Sequence, residues 1–429
     1  MVSLHAIVVL DRNPHIAEVA NQIMAHFPDQ RVQRYKILFL VLLVIAVARP
    51  AQTAAIDLAG GKPATIPFTL IDNRIFVPVS INGQGPFQFI FDTGGANILD
   101  PAVAKELGLK LDPDGEAWGA GANRQQAWRT DVSSADLFGV TIRDHEFRVV
   151  SLEAIRKAIG FRRLDGLVGR ELFERFVVEI DYAGQTLTFS EPKIWSPPGT
   201  LGKPSTLGFY EGIPTLPAVV DGLKGIFIID TGDRSSLTLF GPFVDRHDIR
   251  AKRTKKVQAV TGWGVGGPIP ADVVRAQTFA FAGYDLTGIV TRMPLLKTGG
   301  FASADVAGSI GTGVLKRFRA TFDYARKHLY LTPGPSYAAA DPADRSGLWL
   351  SLDETGFKVM SVVAGSPAAE SGLRVDDIVT AVDGKPASQL FLVALRERLK
   401  TAPPGTQMRL TVKTAANTRD VTITLRDLI

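Results

Sequence analysis

The chain has 429 residues, 45% of them apolar and 21% charged, with a formal net charge of +5. Single cores stop growing near roughly 250–300 residues, so this length predicts about three domains of ordinary globular composition, with little disorder. With no cysteine there can be no disulfide framework, thiol nucleophile or thiolate metal site, and so small a charge without a long Lys/Arg run predicts no nucleic-acid partner.

Arg34 and Lys36 precede a 12-residue apolar run, Ile37 to Ala48, which is followed by Thr53-Ala54-Ala55. A spanning helix needs about 20 apolar residues. A basic flank, a shorter apolar run and small residues after it are instead the pattern of a secretory signal. Residues 1–55 are therefore expected to be an N-terminal extension and signal peptide, cleaved near Ala55, in a bacterial protein that is periplasmic or secreted. If the run is retained, it anchors the chain to the inner membrane, and no other membrane association is expected. The segment before the apolar run is unusually long, and Met24 offers a more ordinary start.

From residue 65 to 332 the chain reads as short β-rich runs punctuated by Gly and Pro, among them "RIFVPVSING", "PFQFIFDTG" and "FVVEIDYAGQTLTFS". Short helices are expected at "PAVAKELGL" and "SLEAIRKAIG". This stretch is also a repeat. "GRELFERFVVEIDYAGQTLTF" from Gly169 matches "GTGVLKRFRATFDYARKHLYL" from Gly311. Within it Arg175, Phe176, Asp181, Tyr182, Ala183 and Leu187 recur in register as Arg317, Phe318, Asp323, Tyr324, Ala325 and Leu329. Upstream, and in the same order, Asp92-Thr93-Gly94 recurs as Asp230-Thr231-Gly232. Two lobes are predicted, 56–200 and 201–334.

One Asp-Thr-Gly is most often just a turn. Two at matching places in a duplicated lobe mean more, because a pseudo-twofold axis brings equivalent residues together. Asp92 and Asp230 then face each other, and two carboxylates about 3 Å apart share one proton. Such a pair supplies both a base for a water and an acid for a carbonyl. His145, His247 and His328 are the only histidines beyond residue 55 and are widely spaced, so neither a zinc site nor Ser-His-Asp catalysis is expected. No metal or cofactor is implied.

"FDTGGANIL", "IDTGDRSSL", "GLVG" and "GSIG" resemble the signature elements of retropepsin-like and pepsin-like aspartic proteases. The resemblance covers roughly residues 65 to 332 and implies a bilobal pair of β-barrels. It implies Asp92 and Asp230 as the catalytic dyad, Thr93 and Thr231 as cross-lobe hydrogen-bonders, and Gly94 and Gly232 as turn residues. It further implies that Gly169 and Gly311 brace the active-site loop. Flap hairpins are implied near 118–128 and 260–270, with Gly119, Gly121, Trp263 and Gly264 against substrate. Two features depart from the pattern: Gly95 and Asp233 stand where the family usually has Ala or Ser. Asp233 either points outward and shapes the turn, or adds a third carboxylate that raises the dyad's pKa values unless Arg234 neutralises it. Trp263 either closes over substrate or packs structurally.

"LTPGPSYAAADPADRSG" reads as a linker. Beyond it, "SPAAESGLRVDDIVTAVDG" and a helix with Leu392, Leu395 and Leu399 on one face resemble a bacterial-type PDZ domain, like those of high-temperature-requirement proteases, over about 345–429. That likeness implies an α+β fold in which Gly347, Leu348 and Leu350 belong to a carboxylate-binding loop and strand. The groove beside them is expected to take a peptide C-terminus, an internal segment or the protease lobes themselves. The mainly β chain is thus expected to be an exported aspartic endopeptidase acting on polypeptides, its PDZ domain recruiting or positioning substrates. The alternative is an inactive, peptide-binding relative.

Overall fold

The computed structural model describes residues 55–414 and 416–429. The expected signal peptide and start site fall outside the described residues, apart from Ala55, which begins the strand Ala55–Leu58. Among the described residues no helix is long and apolar enough to cross a membrane.

The fold is mainly β, and each lobe closes a ring of six strands. In the first lobe the ring runs Arg74–Ile81, Gln84–Asp92, Gly166–Gly169, Ile98–Leu99, Val140–Val149 and Gln125–Asp136, the last pairing back to the first. In the second lobe it runs Ile213–Val220, Leu223–Asp230, Gly308–Gly311, Leu237–Leu239, Tyr284–Pro294 and Gly267–Phe281, closing in the same way. Alternation explains the first ring's central strand. Phe87, Phe89 and Phe91 point into the barrel core, while Ile90 lies in a separate apolar cluster on the other side. In the second lobe Phe227 and Ile229 go inward and Ile228 outward.

A six-stranded sheet joins the lobes. Its centre pairs Val177–Asp181 with Phe318–Asp323, antiparallel, with Glu179 opposite Thr321. These two residues are repeat equivalents in the register that matches Gly169 to Gly311, so the pairing places the pseudo-twofold axis between them. Phe173 and Phe322 meet edge-on across this axis at 5.2 Å between centroids.

The segment read as a linker is strapped to the second lobe. Arg317 donates to the carbonyls of Tyr337 and Ala339, Arg275 to that of Asp341, and the Asp341 carboxylate accepts the Val290 N–H. It connects the second lobe to the C-terminal module, and long-range bonds from two arginines fasten it in place.

The C-terminal module has its own core, in which Leu348, Leu350, Leu392, Leu395 and Leu399 are buried. Its sheet runs Leu348–Leu352, Phe357–Val362, Ile378–Val382, Gln407–Lys413 and Thr418–Thr424, so Leu348–Leu352 is an edge strand. The Ser366 hydroxyl caps the short helix Pro367–Glu370, and Asp383 and Gly384 take positive φ at the hairpin expected there.

Candidate active site

Asp92 ends the strand Gln84–Asp92 and Asp230 ends Leu223–Asp230. Each strand runs parallel to a short glycine-bounded one, with Asp92 beside Gly169 and Asp230 beside Gly311. A Cβ on Gly169 would lie 2.2 Å from the Asp92 carbonyl oxygen, so only glycine lets this brace approach. Beyond each strand the chain turns, and Gly94 N–H donates to Asp92 Oδ1 at 2.8 Å, as Gly232 N–H does to Asp230 Oδ1 at 2.9 Å.

The two turns interlock. Thr93 N–H donates to Thr231 Oγ1 at 2.9 Å and Thr231 N–H to Thr93 Oγ1 at 3.1 Å. Each hydroxyl in turn donates to a carbonyl of the opposite strand, Thr93 to Ile229 and Thr231 to Phe91. The lock sets the aspartates against each other. The Asp92 carboxylate rests on the Gly232 turn, where an added Cβ would meet its Oδ2 at 2.3 Å, and it shares a hydrogen bond with Asp230.

Both carboxyls titrate above the ordinary range. Burial raises Asp92, partly offset by the Gly94 N–H, by Asp230 and by Arg74. Burial raises Asp230 further, and the Asp92 and Asp233 charges add to it. Both carboxyls line one cavity.

That cavity measures about 660 Å³. Its floor includes Asp92, Asp230, Ile90 and Ile228, and its roof Trp118, Gly119, Trp263 and Gly264. The roof is made of two hairpin tips that touch. Gly121 N–H donates to the Val265 carbonyl at 2.8 Å and Asn123 N–H to that of Gly266 at 3.0 Å. A Cβ on Gly121 would lie 2.1 Å from the Gly266 backbone, which explains why the tips are glycine-rich. Trp263 is half-buried and Trp118 exposed, while Trp128 packs on the first-lobe core.

Asp233 does not point outward; it is the third carboxylate whose charge helps to raise Asp230, but its cation is not Arg234. It is buried, and the cation that holds it is Arg292, whose guanidinium donates to both carboxylate oxygens at 2.9 and 3.0 Å. Ser235 N–H, Thr238 and Ser309 complete its shell. Although burial alone would raise it, Arg292 keeps this carboxyl below its ordinary value. Arg234 is engaged elsewhere, donating to both oxygens of Asp72 at 2.6 and 2.8 Å. Asp72 and Asn73, both at positive φ, form a first-lobe hairpin turn that reaches the second lobe, where Asn73 Nδ2 donates to the Arg234 carbonyl at 2.8 Å. The "DN" turn was visible as a turn signal, but its distant partner was not.

In the PDZ module the Gly347 N–H already has an acceptor. Asp344 Oδ1 takes it at 2.7 Å, together with Ser346 N–H at 2.9 Å, so the expected carboxylate-binding loop holds a carboxylate of its own chain. Leu348 and Leu350 are core residues. Against the groove between Leu348–Leu352 and the helix Leu392–Thr401 lies the end of the first-lobe helix Glu153–Ile159. Arg396 donates to the carbonyls of Ala158, Ile159 and Leu350, binding the helix end to the edge strand.

Residues 77–172 match the family model described as aspartyl protease, and residues 358–414 the one described as PDZ domain. The chain carries an aspartyl protease domain and a PDZ domain. Among solved structures it is similar to an aspartic proteinase from Irpex lacteus, at 14% identity and a TM-score of 0.44, covering 65% of this chain and 99% of that one. No curated protein matches it.

Proposed function

We propose that this aspartyl protease domain is an active endopeptidase of polypeptides, with Asp92 and Asp230 as its catalytic residues. The observation that carries the reading is the opposed pair of half-buried carboxyls on one cavity, each fixed by its own Gly N–H and interlocked through Thr93 and Thr231. In this reading the ionised carboxyl takes a proton from a water as the water attacks the peptide carbonyl. The protonated carboxyl meanwhile hydrogen-bonds the carbonyl oxygen, and the proton gained by the dyad passes to the departing amine. The substrate lies extended beneath the hairpin tips, with apolar side chains against Ile90, Ile228 and Trp263.

Export belongs to the same reading, supported by Arg34, Lys36, the run Ile37 to Ala48 and the small residues after it. It places the protein in the periplasm or medium, or at the inner membrane if the run is kept. N-terminal sequencing of the mature protein checks this, with a start near Ala55 expected.

The test of function is digestion of a diverse peptide mixture and an unfolded protein between pH 3 and 8 by the chain from Ile56 onward, beside Asp92→Asn and Asp230→Asn. Cleavage by the parent and by neither variant is expected. Equal silence of all three favours the inactive, peptide-binding alternative.

A further inference from the structure

The turn that carries Asp230 continues directly into Arg234, and this arginine ties together three elements. Its side chain donates to Asp72 of the first-lobe hairpin and, at 3.2 Å, to the Thr261 carbonyl of the second-lobe flap strand Val257–Gly264. Its own carbonyl is held by Asn73. Matching the two Asp-Thr-Gly triplets sets Ala96 against Arg234, so the duplicated lobe does not itself call for a cation here. The PDZ domain lies against this turn of the second lobe as well as against helix Glu153–Ile159 of the first.

The contact is made by Trp349 of the edge strand Leu348–Leu352. Its ring has the Arg234 guanidinium 5.3 Å from the centroid and the Arg396 guanidinium at 4.6 Å. Arg74 and Arg396 are buried and Arg234 is half-buried, and the Asp72 carboxylate acts on all three. Burial alone would raise the Asp72 carboxyl, yet Arg234 and Arg74 hold it well below the usual carboxylate range, so it stays charged. Asp72 does not face these cations alone, since Asp233 and Glu397 also act on Arg234 and Asp344 on Arg396. An aromatic face attracts cations by its quadrupole, so the indole adds support to both Arg234 and Arg396. Removing it takes away a contact that the two guanidiniums share.

Arg396 then carries the coupling onward. Besides stacking on Trp349, it binds the end of helix Glu153–Ile159, and Ile155 of that helix lines the active-site cavity. The domain thus touches the catalytic turn through Arg234 and the cavity wall through this helix. Its own carboxylate loop is meanwhile filled by Asp344.

We propose that Trp349 and Arg396 are positioning residues for the catalytic turn of the second lobe, acting through Arg234, so that the PDZ domain supports the active site in cis. This rests on the endopeptidase reading for its kinetic consequence, but its structural consequence can be measured without activity.

The experiment uses the full chain and compares Trp349→Leu, which removes the aromatic face, with Trp349→Phe, which keeps one. For Trp349→Leu, kcat on a cleaved peptide is expected to fall about ten-fold with KM within about two-fold, and Trp349→Phe is expected to restore most of it. In parallel, amide hydrogen exchange in 230–236 and 257–264 should quicken in Trp349→Leu, while the PDZ strand 407–413 stays protected. Unchanged kcat and unchanged exchange in those segments would overturn the proposal. If 407–413 loses protection, so that the domain itself has loosened, Arg396→Lys decides. It keeps the charge but loses the planar fork, and slower turnover with quicker exchange at 230–236 supports positioning, whereas parent-like behaviour overturns it. A parent silent on every substrate counts against the endopeptidase reading alone, and the exchange comparison still decides the coupling.

Discussion

Thr93 and Thr231 each accept the other's backbone N–H, at 2.9 and 3.1 Å, and both are fully buried. The hydroxyls have no water to fall back on. Replacing Thr231 by Val keeps the shape but strands the Thr93 N–H and the Phe91 carbonyl. An unsatisfied buried group costs about 1–3 kcal/mol, so Thr231→Val is expected to destabilise by about 2–5 kcal/mol in urea unfolding. Thr231→Ser, which retains the hydroxyl, should cost about 1–2 kcal/mol from the lost methyl. A valine variant as stable as the serine one would show that the lock contributes little.

The dyad should weaken the fold at neutral pH. Burial raises both carboxyls in the native state, so that state binds protons more tightly than the unfolded chain does. The contribution is favourable below the unfolded carboxyl pKa and is lost as pH rises through the raised native values. Asp230→Asn removes that titration. Its melting temperature is expected to exceed the parent's at pH 7 and to converge with it near pH 3, while kcat falls by about 10²–10⁴-fold. Equal melting temperatures across the range would mean that the native carboxyls are not raised.

Much of this site could be read from the chain. The two Asp-Thr-Gly triplets, the glycine-bounded strands and the helix leucines are local patterns whose period or repetition shows without coordinates. Other parts could not be read in this way. Asp233 lies far from Arg292 along the chain, and Asp72 farther still from Arg234, and neither pair has a periodic signature. Only the closed barrel brings the first pair together, and only the interlobe contact brings the second. The fastening of the linker 331–347 could not be read for a related reason. Its composition is that of a linker, and what holds it is distant Arg275 and Arg317.

Asp233 bears on the dyad through its charge, which helps to raise Asp230. Asp233→Asn removes a negative neighbour and leaves Arg292 unpaired beside the dyad. Both changes favour ionisation of Asp230, so the alkaline limb of the kcat/KM profile should move to lower pH. Stranding a buried charge also costs about 3–5 kcal/mol. The double variant Asp233→Asn with Arg292→Met should recover part of that stability while the limb stays displaced towards acid. A limb that does not move in either variant would show that Asp233 serves only to hold the turn.

Trp263 sits in the roof, half-buried, beside the bulge that separates Val260 from Trp263 in the flap pairing. It faces the cavity over the dyad and belongs to none of the described apolar core clusters. In the proposed endopeptidase a ring so placed gains its burial from the substrate. Covering a large apolar side chain is worth about 1.5–3 kcal/mol, and about 1.4 kcal/mol is a factor of ten in binding. Trp263→Ala is therefore expected to raise KM by about ten-fold or more on peptides with apolar residues flanking the cleaved bond. Emptying a true core site by such a truncation costs about 3–5 kcal/mol. The melting temperature of Trp263→Ala should instead stay within a few degrees of the parent's, since the cavity it faces is already open. A large fall in melting temperature with KM unchanged would assign the ring to packing.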